Sequence, residues 1–256
     1  MAISRMNFRS EVLGKGTSVN LFLPDSIESS GENNSKEFPV IYLLHGWSDD
    51  CNAWLNATSL ERYASDYPFI IVMPQVELSF YTDMYEGEPY WTYLTIELPK
   101  KLEQWFHISS KPEKTFVAGL SMGGYGAFKW ALKYPERFKA SASLSGALDV
   151  ATLWKNDSSR EKALHRIFGS IKTFEKSDNN LYHLLDVNQN SSGCHFIQIC
   201  GTEDFLYENN KRFRNKILTS SFGAKSSYFE KSGVHDWAFW DEMIQRVLKE
   251  FSLLLA

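Results

Sequence analysis

The stretch Phe116-Val117-Ala118-Gly119-Leu120-Ser121-Met122-Gly123-Gly124-Tyr125-Gly126 constrains the fold of this chain more than any other. A short apolar run, Thr115 to Ala118, ends in Gly-x-Ser-x-Gly, and a helix-like segment, Tyr125 to Tyr134, follows directly. Strand, sharp turn and helix in that order make an elbow that holds a serine, strained, at the carboxyl end of a strand. Gly119 and Gly123, two residues before and after it, leave room for neighbouring backbone. The N-terminus of the next helix aims free amides at the same spot, where an oxyanion can be stabilised. The plain alternative is a Gly/Ser turn that only joins a strand to a helix.

The flanking sequence supplies a sheet for such an elbow. Pro39 to Leu44 and Phe69 to Met73 are near-continuous apolar runs, the pattern of strands covered on both faces. Phe138 to Leu144, Phe196 to Cys200 and Ser226 to Glu230 read as further strands. Helical stretches alternate with them: 59–66, a segment ending near Phe106, 208–222 and 237–253. An antiparallel pair, Ile3 to Val12 and Thr17 to Leu23, precedes them across Gly14-Lys15-Gly16. This alternation predicts an α/β fold, a mostly parallel central sheet with helices on both faces. Residues 25–38 read as a surface loop and 80–93 as an aromatic-rich loop. No linker or repeat breaks the chain, so residues 1–256 are expected to form one domain, with the polar stretch 147–193 as a partial lid insertion.

Composition narrows the partners. The chain has 256 residues, 43% hydrophobic and 15% aromatic, enough for a large core. Its net charge of −4 comes from mixed signs with no basic block, which argues against nucleic acid. No apolar run is long enough to span a bilayer, and the first residues lack a signal-peptide core. Cys51, Cys194 and Cys200 have no metal-type spacing and read as buried free thiols of a reducing compartment. The expectation is a cytoplasmic protein with a small-molecule ester substrate and neither metal nor organic cofactor. Assembly as a homo-oligomer stays open.

A serine hydroxyl needs a base, and the base needs an acid to hold its tautomer. Reacting groups of an open α/β sheet collect at the carboxyl ends of strands. That rule sets aside His107, His165 and His183, on or near helices, and His195, at the start of a strand. His235 follows the last strand and fits the base; His45 follows a central strand and suits a loop-shaping role. Asp204, after the penultimate strand, is the first choice of acid and Asp149 the second; Glu203 and Asp236 are poorly placed. The amides of Met122 and Trp47 are expected to form the oxyanion hole, with Gly46 freeing the backbone to turn the second inward. Trp47, Tyr81, Tyr90, Trp91 and Phe205 are candidate pocket walls. Asp83, Glu86 and Glu88, if they face the mouth, would disfavour anionic substrates.

With these residues in hand the chain resembles the esterase D-like family of α/β hydrolases, and within it most nearly the bacterial tributyrin esterases. The likeness rests on Leu43-Leu44-His45-Gly46-Trp47 with Trp54, Ser79 to Met84 with Tyr90, Glu97-Leu98-Pro99, Thr115 to Gly126 with Phe128, and Phe138 to Gly146. It continues through Gly201 to Tyr207 and Gly233-Val234-His235-Asp236-Trp237. The resemblance implies a nucleophile at Ser121, an acid at Asp204, a base at His235, oxyanion amides at Trp47 and Met122, and esters of short-chain acids as substrates. S-formylglutathione hydrolases usually carry a different loop where this chain has His45-Gly46-Trp47, which points away from a glutathione thioester. An acyltransferase on the same scaffold and a non-catalytic ligand sensor are the competing readings.

Overall fold

The computed structural model describes residues 2–25, 37–106, 108–188 and 193–255. The predicted surface loop, apart from its ends, and His107 lie outside them. Eight strands form one sheet: β1 (Ala2–Arg9), β2 (Gly16–Leu23), β3 (Val40–Leu44), β4 (Ile70–Pro74), β5 (Thr115–Leu120), β6 (Ala140–Leu144), β7 (His195–Gly201) and β8 (Ser226–Lys231). Their spatial order is β1-β2-β4-β3-β5-β6-β7-β8. The β1–β2 and β2–β4 pairs are antiparallel and the other five are parallel. Every residue of β3, β4, β5 and β6 is buried, as their apolar runs require. This is the α/β-hydrolase fold.

Helices cover both faces. They are α1 (Ala53–Ala57), α2 (Leu60–Ala64), α3 (Tyr90–Thr92), α4 (Leu98–Trp105), α5 (Met122–Lys133), α6 (Val150–Asn156), α7 (Glu161–Phe168), α8 (Ile171–Glu175), α9 (Leu181–Val187), α10 (Tyr207–Leu218) and α11 (Trp237–Leu255). One core lies under α1, α2 and α11, against Ile41, Leu43, Phe116 and Ala142. The other lies under α5 and the helices from α6 to α10, against Val40, Tyr42, Leu44 and Val117.

Three local differences from the sequence expectation have physical causes. The helix expected after residue 93 begins at Tyr90, because Asp83 accepts from the Thr92 N–H and hydroxyl at 2.8 and 2.7 Å. Residues Tyr93–Glu97 then form a π turn between α3 and α4. Pro99 has no N–H for the Thr95 carbonyl four residues earlier, and Arg137 Nη1 donates to that carbonyl instead, at 3.0 Å. The elbow helix begins at Met122, three residues before the expected start. Gly123 and Gly124 look like turn residues but lie inside the helix, where contact with the sheet excludes a side chain.

A Cβ on Gly123 would lie 2.3 Å from the Leu44 carbonyl oxygen, and one on Gly119 2.5 Å from the Gly123 backbone. Both obstacles are main chain and cannot rotate away. Gly123→Ala is therefore expected to destabilise the fold by about 3 kcal/mol, read as a lower urea midpoint with unchanged slope.

Candidate active site

Ser121 sits between β5 and α5 with φ +52° and ψ −114°, a conformation that costs a residue with a side chain on the order of 1–3 kcal/mol. Backbone bonds on both sides hold it there. Its N–H donates to the Leu144 carbonyl at 2.9 Å, and its carbonyl accepts from Tyr125 and Ala147 N–H at 3.1 and 3.0 Å. The hydroxyl is thereby presented at the carboxyl edge of the sheet.

The loops after β7 and β8 meet it. His235 Nε2 lies 3.0 Å from Ser121 Oγ, and His235 Nδ1 lies 2.8 Å from Asp204 Oδ2 and 3.0 Å from Oδ1. The Asp204 side chain is fully buried and also accepts from the Leu206 N–H at 2.7 Å. A carboxylate only accepts, so it holds the imidazole proton on Nδ1 and leaves the Nε2 lone pair facing the hydroxyl. Phe205 and Trp240 flank the ring, with centroids 4.5 and 4.9 Å away. The arrangement can deprotonate Ser121 and stabilise the resulting imidazolium.

The other carboxylates near His235 have different partners. Glu203 accepts from the Gly233 N–H at 2.6 Å, a bond that holds its carboxyl below the ordinary glutamate range. Asp236 caps α11 through the Phe239 N–H at 3.0 Å. Asp149 caps α6 through the Thr152 N–H and pairs with Arg212 at 3.3 Å. Asp204 alone of the four candidates reaches the imidazole.

His45 is buried, and burial lowers its pKa. Val76 N–H donates to its Nε2 at 3.3 Å, which leaves Nδ1–H to donate to the Gly46 carbonyl at 2.9 Å. Its ring is therefore neutral and committed to the backbone. His165 packs edge-on against Tyr85 from α7, His183 lies on α9, and His195 opens β7 opposite Ala140, at the far end of the strand.

Two amides fit an oxyanion site. Met122 is the first residue of α5, whose N–H has no intrahelical acceptor. The Gly46 carbonyl accepts from His45 Nδ1 and from the Asp49 N–H at 3.3 Å. In a trans peptide the N–H points opposite the carbonyl, so these bonds direct the Trp47 N–H away from the loop. Neither amide has an acceptor among the described residues. Gly46 does not need its conformational freedom here: its φ is ordinary, and a Cβ would meet Leu120 Cδ1 at 2.6 Å. That atom ends a flexible side chain, so it is the ordinary φ that corrects the sequence expectation.

A cavity of about 600 Å³ opens on Ser121, with Trp47, Asp49, Phe205, Trp237 and Trp240 among its walls. Ser159, Arg160 and Ala163, from the segment between β6 and β7, also line it. Tyr85 and Glu86 N–H donate to the Ile167 and Arg166 carbonyls at 2.9 and 2.8 Å, tying the stretch between β6 and β7 to the 80–93 segment.

Two of the five expected pocket walls, Trp47 and Phe205, line the cavity; Tyr81, Tyr90 and Trp91 do not. Tyr81 is wholly buried, its ring turned under α5 by a left-handed backbone (φ +51°). Tyr90 and Trp91 open α3 on its inward side and belong to the core. The acidic residues of this segment are elsewhere too: Asp83 caps α3 and Glu88 pairs with Lys15 at 3.2 Å. The carboxylates that do line the cavity are Asp236 and Asp49, and the sequence reading missed the second. Its position three residues after Gly46, within reach of the Gly46 N–H, was the available signal.

Among the described residues no cluster of three or more His, Cys, Asp or Glu could hold a metal, and no helix is long and apolar enough to cross a membrane. Cys51, Cys194 and Cys200 are free and buried.

Fold and site together define a serine hydrolase of the α/β-hydrolase class. The family described as "Putative esterase" matches residues 10–251, and the chain belongs to it: the protein is a serine esterase. It is 31% identical to an acetyl esterase of Caldicellulosiruptor saccharolyticus, over 98% of either chain. It superposes with a TM-score of 0.89 and 28% identity on FphF, a fluorophosphonate-binding serine hydrolase of Staphylococcus aureus, over 98% of each chain. The S-formylglutathione hydrolase FrmB of Staphylococcus aureus gives a TM-score of 0.84 at 29% identity, over 98% of this chain and 100% of that one.

Proposed function

We propose that this chain hydrolyses neutral short-chain acyl esters, acetyl to butyryl and including acetylated sugars, through Ser121, His235 and Asp204. The observation that carries the reading is the unbroken contact from Asp204 through His235 to Ser121, at 2.8 and 3.0 Å. Ser121 Oγ attacks the ester carbonyl while His235 Nε2 takes its proton. The oxyanion of the tetrahedral intermediate accepts from the Met122 and Trp47 amides, each worth roughly 3–4 kcal/mol by analogy with other oxyanion donors. His235 then protonates the leaving alcohol, and a water repeats the sequence to release the acid. Every step uses groups of the chain itself. Residues 1–256 act in this reading as one catalytic domain.

The preference for neutral substrates rests on Asp49. Its carboxyl lies in the cavity wall, where partial burial raises its pKa. Arg160, the cation at the mouth, is paired with Asp157 at 2.8 Å. A substrate carboxylate would meet Asp49, with Asp236 in the same lining, and no unpaired Lys or Arg lines the cavity among the described residues. Wild type is expected to hydrolyse p-nitrophenyl acetate and butyrate well, the octanoate poorly, and an anionic succinyl aryl ester at least tenfold less well than the butyrate. Asp49→Asn should raise the succinyl-to-butyryl ratio of kcat/KM about tenfold, the size of one unit-charge contact at a protein surface. An unchanged ratio removes Asp49 from the specificity argument.

Acyl transfer uses the same acyl-enzyme. The diacylglycerol acyltransferase/mycolyltransferase Ag85A of Mycobacterium leprae is 26% identical over 83% of this chain. Product analysis with an added sugar or glycerol separates the two: free acid as the main product supports hydrolysis, and acylated acceptor supports transfer.

A further inference from the structure

On the buried face of α5, two turns past Ser121, stands a lysine with no carboxylate partner. Lys129 is 2% exposed, and no ion pair is formed by it among the described residues. Its Nζ lies 4.2 Å from the centre of the Trp91 ring and donates to two oxygens, the Tyr81 carbonyl at 2.8 Å and Thr82 Oγ1 at 2.6 Å. Burial pushes its pKa well below the usual lysine range. A buried amine is costly wherever apolar packing would serve, and the catalytic steps above leave it unused.

What Lys129 holds is itself strained. Phe80 and Tyr81 are consecutive left-handed residues, φ +49° and +51°, neither of them glycine. Such a pair persists only where its surroundings over-determine it. Lys129 grips the carbonyl that ends the pair, and Ser79 Oγ accepts from the Tyr81 N–H at 3.1 Å. The helix is cut to fit: a Cβ on Gly126 would lie 2.5 Å from Tyr81 Cδ2.

Both strained residues reach the loop that carries the Trp47 amide. Phe80 packs edge-on against the Trp47 indole, with centroids 5.1 Å apart. Tyr81 Oη donates to the His45 carbonyl at 2.8 Å. The same His45–Gly46 peptide has its N–H bound to Asp49 Oδ2 at 3.2 Å, and the next peptide has its carbonyl bound to His45 Nδ1. Two successive peptide planes are thus fixed, and the second ends in the Trp47 N–H.

We propose that Lys129 and Tyr81 are positioning residues for the oxyanion site: Lys129 locks the Phe80–Tyr81 turn, and the Tyr81 hydroxyl fixes the peptide chain that aims the Trp47 amide. The proposal rests on the reading of Trp47 as an oxyanion donor. It makes a distinction that a purely structural role does not. Loosening this network weakens binding of the transition state while ground-state binding of the ester stays as it was.

The test compares Tyr81→Phe, Lys129→Gln and Lys129→Met with wild type on p-nitrophenyl acetate. Tyr81→Phe deletes one O–H and keeps the ring. Lys129→Gln keeps a two-hydrogen donor, and Lys129→Met keeps only the chain. For Tyr81→Phe, kcat should fall about tenfold with KM within twofold. The Ki of a trifluoromethyl ketone, which binds as an oxyanion, should rise by the same factor. Lys129→Gln should retain more kcat than Lys129→Met. The proposal is overturned if Tyr81→Phe lowers the melting temperature while kcat and Ki stay within twofold of wild type, and that variant decides even if Lys129→Met fails to fold. Ser121→Ala, run alongside, separates the two levels. If it keeps activity, the catalytic reading itself has failed; if it is inactive while Tyr81→Phe matches wild type, the positioning role alone has failed.

Discussion

Ser121→Ala is expected to lower kcat/KM for p-nitrophenyl acetate by roughly 10⁵-fold, to the residual rate that a bare oxyanion site and substrate binding sustain. The serine is the only hydroxyl 3.0 Å from His235 Nε2 among the described residues. Water held by the same base is a poor substitute, since it lacks the oriented attack of a fixed Oγ. The fold should be indifferent. Alanine retains the Cβ and the same strained φ, and every backbone bond at this residue uses its N–H or carbonyl. Steady-state kinetics with thermal melts checks both halves, and intact mass after exposure to a fluorophosphonate probe adds a third. Wild type should gain one adduct and the variant none. Activity within tenfold of wild type would remove Ser121 as the nucleophile.

Asp204→Asn is expected to cost about 10⁴-fold in kcat. The side-chain shape is kept, and an amide oxygen can still accept from the Leu206 N–H, so the loop after β7 should hold. The chemistry changes because an amide also donates. With its N–H₂ turned to His235 Nδ1, the imidazole proton moves to Nε2, which then cannot accept from Ser121. The lesion is thus one of tautomer, and it predicts a melting temperature near that of wild type beside a collapsed kcat. Asp149→Asn and Glu203→Gln are the matched controls. They alter a helix cap and a loop bond and should leave kcat within a few-fold. If either control fell as far as Asp204→Asn, the assignment of the acid would move to that residue.

The parts of the site that were legible in the sequence are those built by local chain geometry. An apolar run stopping at Gly119, with Ser121 and then a helix, announces its own turn. The loops at Asp204 and His235 announce theirs by following strand-like runs. Tyr81, Tyr90 and Trp91 were misread because an aromatic residue in a loop has no periodicity to reveal its side. The left-handed turn at Phe80 and Tyr81 decides that side, and neither residue is of the type that signals one. Lys129 is harder still. A lysine in a helix reads as solvent-facing, and only the packing of Trp91 and the Tyr81 carbonyl around it reveals otherwise. Asp49 passed unnoticed because its place in a cavity wall depends on partners such as Ser159 and Arg160, more than a hundred residues away.

By itself, then, the sequence determined the alternation of strands and helices, the elbow, and the strand ends at which Ser121, Asp204 and His235 wait. Those follow from periodicity and turn chemistry, which act over a few residues. Only the tertiary structure decided that these ends converge. The order β5-β6-β7-β8 brings three loops far apart in sequence to one edge, where 2.8 and 3.0 Å contacts can form. Contact across a sheet depends on which strands neighbour one another and on how deeply each helix seats. Gly123 against Leu44, and Gly126 against Tyr81, set that depth to within a Cβ. No local pattern carries that distance, because the atoms that define it belong to a helix and to a strand and a loop distant from it in sequence.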